Sequence, residues 1–155
     1  MNEYAIYWVE ENVAKNYFHK SDILHRFFLE CAEKAENEDE IIIRKQFRFI
    51  TRKIHFYKFA MHLKTFSSPD IIVKRIGNRV LVKKGEEVLC LYIENGQLIL
   101  KCNHLVTAMS LLFPILEDIH PYFFVQGKDT SQYGWISPKP IKAQSDESQV
   151  LYNFL

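Results

Sequence analysis

The first 68 residues contain neither glycine nor proline; the first of either is Pro69. Glycine alone visits positive φ without steric cost, and proline breaks the helical hydrogen-bond ladder, so together they punctuate a chain. A stretch this long without them is built mainly of helix and strand, with its connections drawn from Ser, Asn and charged residues. The five glycines all come later, at 77, 85, 96, 127 and 134, and no two lie within six residues of each other. A dinucleotide fingerprint needs three glycines within six residues, and a P-loop needs two followed by Lys and Ser/Thr. Neither can be assembled here.

A chain of 155 residues with 48% hydrophobic content is one domain, spanning 1–155, with enough apolar surface to close a core. It divides into a helix-rich part (1–68), a sheet-rich part (69–138) and a polar, then apolar, tail (139–155). A net charge of +1 gives no global field towards nucleic acid or membrane. The acidic start and the lack of a long apolar run lead us to expect a cytoplasmic protein with no leader and no membrane contact. Cys31, Cys90 and Cys102 have no metal-ligand spacing. An Asn95-Gly96 hairpin would set Cys90 opposite Lys101 and point Cys90 and Cys102 to opposite faces, so three reduced, buried thiols are expected.

Tyr4–Val9 suits a strand. Helical spacing follows from Glu10 to about Phe18, with the pairs Val13/Tyr17 and Ala14/Phe18. Ser21 suits the N-cap of a second helix to about Ala35, with the stripe Leu24, Phe27, Phe28, Cys31 and Ala35. The acidic run Glu36–Glu40 leads into a third helix, about Glu38–Arg52. The stretch 54–66 fits a helix or an extended strand, with helix preferred for Phe56, Phe59, Ala60 and Leu63. Four runs, Ile71–Ile76, Arg79–Lys83, Val88–Glu94 and Gln97–Cys102, read as an antiparallel meander. Asn103 is placed to cap a helix to about Ile119, kinked at Pro114, with Leu105, Ala108, Met109, Leu112, Leu116 and Ile119 inward. Tyr122–Gln126 and Tyr133–Ile136 complete the strands. The expected class is α+β, a mostly antiparallel sheet with helices largely on one side.

Catalytic chemistry finds little support. Six histidines form no zinc-site spacing, and the adjacent carboxylates sit at helix ends and a turn, where solvation explains them. No nucleophile elbow is present. No metal, cofactor or small-molecule substrate is expected. A small enzyme would need a deep pocket joining His104 or His120 to a carboxylate.

The segment Arg44–Lys53 mixes five cations with Phe47 and Phe49. One reading is a nucleic-acid-binding helix. Helical geometry divides the labour differently. Ile43, Phe47, Ile50 and Ile54 make a core stripe, and Gln46 and Phe49 fall beside it. Likewise Val13 and Tyr17 border the core if Ala14 and Phe18 enter it. Rings beside a polar group on a helix face suit a protein interface, although pattern alone equally allows all of them to pack inside.

These segments also resemble the sporulation inhibitor of replication (SirA) family of spore-forming bacteria. The similarity runs through Tyr7–Phe18, Ser21 and Phe27-Phe28, Lys45–Thr51, and Pro121-Tyr122-Phe123 with Tyr133-Gly134-Trp135-Ile136-Ser137-Pro138. The resemblance implies a non-catalytic α/β protein that binds the N-terminal domain of the replication initiator DnaA and prevents initiation. Carried over, the partner-binding positions are Val13, Tyr17, Gln46 and Phe49, with Lys15, Arg48 and Arg52 as a basic rim. Val13 stands where the family typically has phenylalanine, and Phe49 where it has tyrosine. The first reduces burial and the second removes a hydroxyl. Direct binding of nucleic acid through Arg44–Lys53 is the alternative.

Overall fold

Strand β1 (Asn2–Val9) decides the architecture, because it is apolar on both sides. Tyr4, Ile6 and Trp8 join one core cluster, while Ala5, Tyr7 and Val9 join another. A strand of that composition has to lie inside a sheet that is covered on both faces. The computed structural model describes residues 1–33, 40–94 and 97–137. It places β1 between β6 (Gln97–Cys102) and β7 (Phe123–Gly127), antiparallel to both.

The other strands extend this centre. β3 (Ile72–Ile76), β4 (Arg79–Lys84) and β5 (Glu87–Glu94) form the expected meander with β6, and β8 (Tyr133–Trp135) closes the opposite edge. The order is β3-β4-β5-β6-β1-β7-β8, with every pair antiparallel. Residues 95–96 lie outside the described residues, but Glu94 pairs with Gln97 and Cys90 with Lys101, the register expected of a two-residue turn. The tight turns at Gly77 and Gly85 take φ of 62° and 61°, which only glycine adopts without strain. All three cysteines are free and buried.

The α+β class and the antiparallel sheet are as expected, but the helices do not gather on one side. α1 (Glu11–Tyr17), α2 (Ser21–Glu33) and α3 (Glu40–Ile50) pack on the Tyr7 face. α4 (Phe56–Phe66), α5 (Leu105–Leu111) and α6 (Phe113–Ile119) pack on the Ile6 face through Phe59, Leu63, Ala108 and Leu116. The reason is again a strand buried on both faces: all five residues of β7 are buried too.

Several boundaries moved. Glu10 precedes the first helix and caps it, its carboxylate accepting from the Asn12 and Val13 amides at 2.9 and 3.2 Å. Ser21 is the first residue of α2 rather than the residue before it. The third helix stops at Ile50, because Thr51–Arg52 leave it to form β2, which pairs with Val9 and Trp8. The Thr51 hydroxyl donates to the Phe47 carbonyl at 2.7 Å, closing the last turn.

Segment 56–66 is helical, with Phe59, Ala60 and Leu63 buried. Pro114 does more than kink its helix: it divides the segment into α5 and α6 at Leu112. His104, not Asn103, precedes α5, and Met109 is 54% exposed rather than inward. The expected Ala35, the acidic run through Asp39 and the tail from Pro138 lie outside the described residues.

Candidate functional site: the helical face of α1, α2 and α3

The Tyr7 face is organised by aromatic packing. Phe28 of α2 stacks on Tyr7, with centroids 3.9 Å apart, and Phe47 of α3 meets both rings edge-on at 76°. Phe124 of β7 completes the floor, 5.8 Å from Phe28. Burial pushes the Tyr7 hydroxyl pKa above its ordinary value, so the ring stays neutral. Burial, with Glu30 nearby, raises the Cys31 thiol to about 11, which leaves it inert. The floor is therefore closely packed and uncharged.

α3 rides high on this floor. Its half-buried apolar residues are Ile43, Phe47 and Ile50, three of the four read as a stripe from the sequence, and none of its residues is fully buried. The fourth, Ile54, lies beyond the helix and is buried in the core of the Ile6 face, because the chain leaves α3 at Ile50 to pair with β1. Phe49 is 77% exposed. It borders an open groove of about 400 Å³ with Phe27, Lys45, Gln46 and Ile50. An exposed Phe at a groove edge loses apolar hydration whenever a partner covers it, a gain of about 1.5–3 kcal/mol for full burial. Ile42, seven residues before Phe49 and 62% exposed, continues the same flank of the helix.

α1 supplies the second part of the surface. Ala14 is fully buried and Phe18 is half-buried, stacking on Trp135 at 5.4 Å. The Trp135 indole donates to the Phe18 carbonyl at 2.8 Å, fixing the end of the helix. Val13 is half-buried against the floor, and Tyr17 is 36% exposed. Lys15 is exposed and pairs with Glu11 at 3.2 Å. The Glu10 amide donates to the Ile50 carbonyl at 2.7 Å, so the start of α1 abuts the end of α3.

The structure thus brings Val13, Tyr17, Gln46 and Phe49 onto one face of the sheet. It separates the expected basic rim. Arg52 lies on β2 opposite Trp8, its guanidinium 4.9 Å over the Trp8 ring, on the other face. Arg48 is one residue before Phe49, about 100° round the helix, on the flank away from Gln46. Lys45, which the sequence reading left out of the rim, lines the groove with Phe27. Its position four residues before Phe49 was the available signal.

Among the described residues no group of three or more His, Cys, Asp or Glu side chains is placed to hold a metal ion. His120 sits against Trp8, Tyr122 and Phe123, and its imidazole accepts from the Tyr122 amide at 3.2 Å. Burial and Arg52 lower its pKa below the usual 6.5. These contacts describe a packed histidine. No helix among the described residues is long and apolar enough to cross a membrane.

The class is a three-layer α+β domain, and among the described residues its most exposed ring, Phe49, borders a shallow apolar groove between α2 and α3. The family model for "Sporulation inhibitor of replication protein SirA" matches residues 2–140, and the chain belongs to that family. No curated protein matches it.

Proposed function

We propose that this chain inhibits replication initiation by binding the N-terminal domain of the initiator DnaA through the helical face of α1 and α3, without catalysis. Membership of the sporulation inhibitor family supports the regulatory role. The observation that carries the surface assignment is the exposure of Phe49 at the edge of the Phe27–Gln46–Ile50 groove. Phe49 and Tyr17 supply the apolar area that the partner covers. Gln46 orients the partner through its amide, and Val13 fills the border between helix and floor. Lys15 and Lys45 give the basic edge, which sets association rate more than affinity.

The exposed cations of α3 also suit phosphate, but Arg44 is paired with Glu40 and Arg52 lies on the far face. The protein interaction is therefore the better account of this helix.

The deciding experiment mixes the purified protein with the isolated N-terminal domain of its host's initiator on a sizing column. A complex that Phe49→Ala or Tyr17→Ala abolishes while the domain stays folded is the expected result. No complex at tens of micromolar would sink the reading. Salt-sensitive binding to DNA that survives Phe49→Ala would transfer the function to nucleic acid.

A further inference from the structure

The helix layer on the Tyr7 face covers only part of the sheet. Its contacts are with β1, β7 and β8, together with Ile99 of β6 and the edge of Tyr92. Strand alternation puts Ile72, Lys74 and Ile76 of β3, Arg79, Leu81 and Lys83 of β4, and Val88, Cys90 and Tyr92 of β5 on this same face. Leu81, Val88 and Tyr92 are half-buried, while Ile72 and Ile76 are 60% and 53% exposed. On the opposite face the equivalent residues Val80, Val82, Leu89 and Leu91 are fully buried. Among the described residues, half of one sheet face is therefore an apolar floor without a cover.

Its charges are one-sided. Lys101 is neutralised by Glu3 at 3.2 Å, and Lys128 bridges Glu3 and Glu94 at the end of the face. No carboxylate among the described residues pairs with Lys74, Arg79 or Lys83. Arg79 lies 4.6 Å over the Tyr92 ring, and Lys101 lies 5.4 Å from it. Since cations already occupy that ring, it is not a free stacking platform for a nucleic-acid base. An occupant has to bring both apolar side chains and negative charge.

The chain carries such a segment. Residues 146–155 read Asp-Glu-Ser-Gln-Val-Leu-Tyr-Asn-Phe-Leu, with two acids, no cation, and Val150, Tyr152 and Phe154 in alternation. This stretch lies beyond residue 140, where the family match ends. It also has the reach. Four strand spacings separate β8 from β5, ~19 Å, whereas the 12 residues from 138 to 149 span ~40 Å when extended.

We propose that Val150–Leu155 docks on the open face of β3, β4 and β5, its apolar side chains on Leu81, Val88 and Tyr92, with Asp146 and Glu147 meeting Lys74 and Lys83. The dock shields an apolar sheet face beside the helical surface, and it is a property of this chain rather than of the matched family region.

The test compares methyl-labelled full chain with a chain ending after Pro140, and adds the synthetic peptide 141–155 in trans. Expected are ring-current shifts of the Leu81 and Val88 methyls in the full chain, their loss on truncation, and their return with the peptide. Lys74→Glu with Lys83→Glu should weaken peptide binding at least tenfold, and raised salt should weaken it in the same direction. The remaining methyl resonances report whether each variant is folded. Identical Leu81 and Val88 shifts in the two chains would overturn the proposal. So would peptide-induced shifts confined to the Phe27–Ile50 groove. Binding of a single-stranded oligonucleotide to the face of the full chain as readily as to the truncated one would show the face uncovered and also overturn it.

Discussion

Phe28 lies face to face with Tyr7, the two ring planes only 1° from parallel, and this contact joins α2 to the central strand. Phe28 is fully buried, while Phe49, one helix away, is 77% exposed. The two phenylalanines should respond oppositely to truncation. Phe28→Ala removes a ring from the floor and should cost about 3–5 kcal/mol of stability, read as a lower urea midpoint. Phe49→Ala should change stability by less than about 0.5 kcal/mol and lose the initiator domain on a sizing column. A large drop in midpoint for Phe49→Ala would show that its ring supports the fold instead.

The charges round the groove give a kinetic prediction. Lys45 lines the groove, whereas Arg52 lies over Trp8 on the opposite face. Lys45→Glu should slow association with the initiator domain several-fold at low salt, and added salt should narrow the difference. Arg52→Ala should leave association unchanged and cost about 0.5–1 kcal/mol of stability through the lost ring contact. Stopped-flow mixing and denaturant titration separate the two effects. Equal slowing by both variants would place the partner across the sheet edge.

His120 predicts a pH dependence. Its pKa is lowered in the folded protein by burial and by Arg52, against an opposing pull from Glu11. The unfolded chain therefore binds the proton more readily below the usual 6.5. Stability should then fall as pH drops below that value, until the folded-state pKa is also passed. Urea midpoints measured from pH ~7.5 down to ~5.5 should show the decline, and His120→Gln should reduce the slope. An unchanged slope in the variant would assign it to other groups.

The turn between β3 and β4 offers a test of backbone strain without packing. Gly77 has φ of +62°, and a Cβ there would meet nothing within 4 Å. Gly77→Ala should cost about 1 kcal/mol, and Gly77→Asn less, because Asn tolerates the left-handed region. Thermal melts of the two variants give the order; Ala as stable as Asn would contradict it.

The readable parts of this sequence were those set by local rules. The β5–β6 register followed from a turn dipeptide, and for α4 helical spacing of four residues favoured helix over the strand that the pattern also allowed. Three members of the α3 stripe, Ile43, Phe47 and Ile50, followed from its period as well, but Ile54 did not, because it lies beyond the helix in the opposite core. What the pattern missed depended on contacts distant in the chain. The end of α3 at Ile50 was hidden because Thr51 and Arg52 complete Trp8 and Val9, more than forty residues away in sequence. The second helix layer was hidden for the same reason: β1 reads as an apolar run, and only its place between β6 and β7 shows that both faces need cover. At the site, helical spacing set Phe49 apart from the core stripe, but the neighbourhood of Phe27 and Lys45 arises only when α2 and α3 pack together.

The 2.7 Å hydrogen bond from the Glu10 amide to the Ile50 carbonyl locks the start of one helix to the end of another, forty residues further along. The proposed recognition surface is consequently a conformational epitope. Neither helix excised as a peptide would reproduce it, and an antibody or inhibitor raised against the folded face should fail to recognise the denatured chain.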